Sequence, residues 1–141
     1  MTVPEHLWRF PTADAIASLA DRLGVPNDPS MQDWEWQIAD PQRIDDYLSI
    51  YRSGELTDDE RFTLMETILQ SFEDLDADFG SDTRWITVLD LLERNIQLHA
   101  YSIWHWADLD NEEFSECWRV SQYMRTMIER HPKRFNAQVG G

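Results

Sequence analysis

The chain has 141 residues, of which 27 are acidic and 12 basic, for a formal net charge of −15 at pH 7. That length is about one domain, and a surface so negative excludes partners held by attraction to cations, namely nucleic acid and anionic lipid. With 42% hydrophobic and 12% aromatic residues, intrinsic disorder is excluded too, since it needs low hydrophobicity as well as high charge.

The charge is unevenly spread. Between residues 55 and 82 ten acids face Arg61 alone, a balance of −9, whereas from Cys117 to the end five basic residues face Glu129, a balance of +4. The lone Cys117 can form no internal disulfide, which fits a reducing compartment. Met1-Thr2-Val3-Pro4-Glu5-His6 has neither the basic nor the apolar segment of a signal peptide. No run reaches the roughly 18 apolar residues of a membrane span. The expectation is a cytoplasmic protein. Its bias of eleven Arg to one Lys suggests a GC-rich bacterial source.

Residues 1–11 read as an irregular arm. Thr12 then caps a helix to Leu23, with Ile16, Leu19, Ala20 and Leu23 on one face and Gly24 as its stop. Asp40-Pro41 opens a second helix, because Pro loses nothing by lacking an N–H in a first turn; Ile44, Tyr47, Leu48 and Tyr51 follow, and Gly54 ends it. Thr57-Asp58-Asp59-Glu60 is a capping box. Behind it Phe62, Met65, Leu69 and Phe72 recur at helical spacing, and Glu60, Thr63, Glu66, Gln70, Glu73 and Asp74 form the expected wet side.

A long fourth helix is predicted from Asp82 or Thr83 to about Trp106. It is apolar nearly all round, which places it at the centre of a bundle. Asp110 caps a fifth, to Arg130, with Phe114, Cys117, Trp118, Ser121, Met124 and Ile128 inward and Glu112 and Glu113 at the favourable end of its dipole. Pro132 stops it, leaving 132–141 as a flexible tail. The fold class is all-α, a single-domain bundle of about five helices with a central apolar fourth helix.

No motif points to catalysis or to a cofactor. Asp74-Leu75-Asp76-Ala77-Asp78-Phe79-Gly80 has the look of a calcium loop, but Phe79 stands where the sixth-position Gly belongs and Trp85 where the bidentate Glu belongs. A solvated acidic turn is the better reading. His99 and His105, six apart on a helix, point about 120° away from each other, so no metal is expected. Cys117 on an inward face reads as a small buried hydrophobe rather than a nucleophile.

Seven tryptophans are many for this length, and core packing is their first explanation. Trp34 or Trp36, if exposed beside the acids, would make an interface anchor. The expected function is therefore that of an acidic, non-enzymatic inhibitor that binds a basic protein. In small size, acidity and lack of an active-site motif the chain resembles immunity proteins and antitoxins as a functional group. The expected contact residues are Asp58, Asp59, Glu66, Glu73, Asp74, Asp76, Asp78, Trp34 and Trp36, with no cofactor, metal, nucleic acid or membrane. Two other readings are an enzyme using Glu66, Glu73, His99 and His105, and a structural or homo-oligomeric subunit.

Overall fold

Thr12 accepts a 3.1 Å hydrogen bond from the Ala15 N–H, and Gly24 takes the left-handed conformation (φ 66°) that lets the chain leave a helix. Between them lies α1 (Ala13–Leu23), as predicted. The computed structural model describes residues 2–136, and these form eight α-helices, three short 3-10 turns and no strand. The protein is all-α. The helices fall into two compact units: a middle unit, Phe10–Gly80, and a terminal unit from residues 1–9 and 81–141.

In the middle unit α1 is followed by the four-residue α2 (Trp34–Gln37), which periodicity cannot reveal at that length. The Asp40 carboxylate accepts from the Gln42 N–H, and a 3-10 turn at Pro41–Arg43 leads into α3 (Ile44–Tyr51). The capping box forms as read. Thr57 Oγ1 accepts from the Glu60 N–H at 3.2 Å and Glu60 Oε1 from the Thr57 N–H at 2.9 Å, opening α4 (Asp58–Asp74).

The centre of this unit is α4, against which α1, α2 and α3 all pack. Every residue from Phe62 to Leu69 is buried, which corrects the expected wet side: Glu60, Thr63 and Glu66 are inside, Gln70 and Glu73 half-buried, and only Asp74 exposed. Burial is tolerable because polar groups find partners. Thr63 donates to the Asp59 carbonyl (2.8 Å), Thr67 to the Glu35 carbonyl (2.7 Å) and Ser71 to the Thr67 carbonyl (2.7 Å). The Ser18 hydroxyl of α1 donates to Glu60.

The terminal unit holds α5 (Thr83–Arg94), α6 (Ile96–Ala107), α7 (Ser121–Arg130) and α8 (Pro132–Phe135). Asp82 caps α5, its carboxylate accepting from the Arg84 N–H at 2.9 Å and pairing with the Arg84 guanidinium at 2.8 Å. The single long helix predicted here is two. Asn95 leaves helical geometry (φ −125°, ψ 43°) and its amide donates to the Leu91 carbonyl at 3.0 Å, so its side chain competes for the backbone and ends α5. The second half, α6, packs on α5, α7 and α8.

The predicted fifth helix is also shorter than expected. Asp108 takes a left-handed conformation (φ 51°), Phe114–Glu116 form only a 3-10 turn, and α7 starts at Ser121. Pro132, read as a stop, opens α8 as its first residue instead. The tail expected over 132–141 thus begins as helix, and its residues 137–141 lie outside the described residues. Near the start of the chain Glu5–Leu7 form a 3-10 turn; the His6 ring donates to the Phe135 carbonyl at 2.9 Å and the Trp8 indole to the Val3 carbonyl at 2.8 Å.

Candidate functional site

The nine expected contact residues lie in the middle unit, but they do not form one face. Asp58 and Asp59 start α4 and Asp74 ends it, a separation of about 24 Å at the rise of a helix. Glu66, between them, is 2% exposed. Trp34 is 3% exposed and its indole donates to the Pro26 carbonyl at 2.7 Å, so it is a core residue and no surface anchor. Trp36 is half-buried. Two acidic clusters remain, one at each end of α4.

They differ electrostatically. At the N-terminal end the acids meet the positive pole of the helix and nearby cations: Asp58 pairs with Arg61, and Glu55 with Arg22 at 2.8 Å. Glu60 is held below the usual carboxylate range by the Ser18 hydroxyl and then by the Thr57 N–H. At the C-terminal end Glu73 and Asp74 are followed by the exposed Asp76 and Asp78, and the last turn of α4 carries no basic residue. Asp74 receives a hydrogen bond from the Gln70 amide at 2.9 Å. Among the described residues neither Asp76 nor Asp78 forms an ion pair. Phe79 is buried edge-on to Phe72 at 5.6 Å, which pins the loop from within and leaves its carboxylates outside.

The four residues of the enzymatic reading are divided between the units, Glu66 and Glu73 in the middle one, His99 and His105 in the terminal one. His99 is fully buried on α6. Burial depresses His105, with Asp108 opposing, and its ring stacks on Tyr101 at 5.9 Å. A groove of about 330 Å³ between α5 and α7 is lined by Leu89, Tyr123 and Met127 and rimmed by Asp90, Glu93 and Arg130; none of those four residues lines it. Glu93 is lowered mainly by its 2.9 Å hydrogen bond with His131. Among the described residues no three His, Cys, Asp or Glu side chains are grouped to hold a metal, and no helix is long and apolar enough to cross a membrane.

Sequence reasoning missed the segment between α6 and α7. Its Phe114 and Trp118, expected inward, are 67% and 38% exposed, and Cys117 is half-buried. Arg125 of α7 organises it, donating to the carbonyls of Ala107, Asp108 and Asn111, lying 3.3 Å from the Cys117 sulfur and 5.0 Å from the Phe114 ring centre. One available signal was Arg125 itself, a cation placed near inward positions of the expected fifth helix. Comparison with known protein families, with characterised proteins and with solved structures finds no match for this chain.

Proposed function

We propose that the protein is an acidic inhibitor that binds a basic protein through the loop after α4 and occludes its functional surface, as an immunity protein or antitoxin does to a toxin. The supporting observation is where the carboxylates sit. Asp74, Asp76 and Asp78 crowd the negative pole of a 17-residue helix whose last turn has no basic residue. A helix end of that sign favours cations by about 0.3–1 kcal/mol each within its last turn, so Glu73 and Asp74 oppose the stability of the free chain, and Asp76 and Asp78 carry the same sign into the loop. Solubility alone would be served as well by acids placed elsewhere. A cationic partner supplies the charge that the helix lacks.

Occlusion needs fast capture, and complementary charge raises association rates to about 10⁸–10⁹ M⁻¹s⁻¹ at low salt. The test starts with capture from the source cell at low salt, mass spectrometry of what a salt step releases, and an activity assay of the captured enzyme with and without this chain. Association is then measured for the wild type and for Asp74→Asn/Asp76→Asn/Asp78→Asn. The reading expects an inactive bound enzyme and an on-rate falling roughly tenfold or more from low to physiological salt. It also expects the triple variant to bind more slowly while being more stable on its own. An on-rate flat in salt, or untouched by the triple variant, would refute it.

A further inference from the structure

We infer that the segment Asp110–Trp118 is a second docking surface, which inserts Phe114 into an apolar slot of a basic protein segment while that segment's Arg or Lys side chains meet Glu112, Glu113 and Glu116. This rests on the reading that the partner is basic, but it uses the other unit and needs no carboxylate of the Asp74–Asp78 loop.

Scattered exposed hydrophobics such as Trp8 and Ile86 are ordinary on any protein surface. Phe114 and Trp118 differ from them in two ways. Both stand on one segment with no regular helix to support it, the 3-10 turn Phe114–Glu116 and its flanks. Both are nevertheless held. The Arg125 guanidinium lies under the Phe114 ring and takes the carbonyls of Ala107, Asp108 and Asn111. The Trp118 ring rests on buried Trp106 at 4.8 Å and on His105 at 5.4 Å. An aromatic side chain fixed before binding loses little freedom on docking, which is what makes such residues strong anchors.

The surrounding charge selects the partner. Asp110, Glu112, Glu113 and Glu116 are all exposed, and Glu112 and Glu113 are not in the first turn of a helix, so no dipole accounts for them. Arg125 is turned onto carbonyls, and from 110 to 119 the sequence holds four acids against the single cation Arg119. A second copy of this chain would bring a net charge of −15 to an acidic segment, which disfavours self-association. A cationic surface with an apolar pocket fits both the rings and the carboxylates.

The test titrates the isotopically labelled full chain, followed by NMR, with three synthetic peptides: one alternating Arg and Leu, one of Arg alone, and one alternating Glu and Leu. The expected result is that the Arg/Leu peptide shifts the Trp118 indole and the amides of 112–119. Phe114→Ala, which removes an exposed ring and so leaves the fold intact by circular dichroism, should weaken that peptide about tenfold. Phe114→Leu should recover most of the loss. Equal binding of the Glu/Leu peptide, indifference to Phe114→Ala, or no shift at 112–119 would overturn the inference. Shifts confined to the Asp74–Asp78 loop would overturn it while leaving the proposed function standing, and no binding of either Arg peptide anywhere would count against both. Shifts of Trp118 that appear on concentrating the chain alone, with a dimer mass in sedimentation, would assign the surface to a second copy instead.

Discussion

The Thr67 hydroxyl, at the buried middle of α4, donates a 2.7 Å hydrogen bond to the backbone carbonyl of Glu35 in α2. A helix of four residues has almost no hydrogen bonds of its own, so this bond and the Trp34 ring hold α2 on the unit. Thr67→Val keeps the shape and removes the donor, leaving a buried carbonyl without it. The expected loss is about 1–2 kcal/mol of stability by urea denaturation. No measurable loss would mean that α2 is held by packing alone.

Glu35 is itself informative. It is 7% exposed, and burial, aided by the charge of Asp33, raises its carboxyl above the ordinary value while its own N–H opposes. A carboxyl raised by folding favours the native state at low pH and opposes it once ionised, so the penalty is fully present above the folded pKa. Glu35→Gln should therefore stabilise the protein at pH 7 by about 1 kcal/mol, with the gain shrinking as pH falls through the raised folded pKa and gone below the ordinary carboxylate value of about 4. Denaturation of both proteins at pH 7 and pH 3.5 tests this; a gain independent of pH would point to another cause.

Asp108 ends α6 at φ 51°, a conformation that costs a side chain about 1 kcal/mol relative to Gly, and puts a carboxylate at the negative pole of the helix. Its carbonyl, which accepts from Arg125, belongs to the backbone and survives substitution. Asp108→Gly should raise stability by about 1 kcal/mol. Because Asp108 holds the His105 pKa up against burial, the same change should lower the His105 pKa further. Urea denaturation and an NMR titration of the His105 ring read the two effects separately.

Acid should act in two stages. His105 is depressed by burial, so its contribution is complete above the unfolded value, about 6.5, and is lost as pH falls through the folded one. Glu60, Asp82 and Glu93 are all lowered by their hydrogen bonds, and what they contribute begins to go only below about pH 4. His105→Gln should abolish the upper stage and spare the lower. A single transition unaffected by that variant would contradict the assignment.

Local chemistry was legible in the sequence and tertiary chemistry was not. Thr12, Gly24, Asp40-Pro41 and the Thr57–Glu60 box lie where their helices begin or end, because a cap is a contract between neighbours in the chain. The polar side of α4 was misread because Thr63 donates to the Asp59 carbonyl and Glu60 accepts from the Ser18 hydroxyl, a device that hides a polar residue without an apolar pattern. The break at Asn95 left one sign, a residue that competes for backbone bonds inside an apolar run. The irregular course of 108–120 left fewer, since the carbonyls that Arg125 gathers lie 14 to 18 residues before it. For the candidate site, the acidic loop was visible in composition. The separation of its two halves, and the aromatic segment between α6 and α7, required the fold.

The position of α4 also governs when the middle unit can fold. During synthesis α1, α2 and α3 emerge before the helix on which all three rest, and at 11, 4 and 8 residues they are too short to persist alone. They wait as nascent chain until the stretch up to Asp74 has left the ribosome, and then condense together. A nonsense codon or a protease cut before that point strands three segments with no common surface. The long acidic helix is thus the keystone of its unit, and the carboxylates at its far end are the last part of that unit to be made.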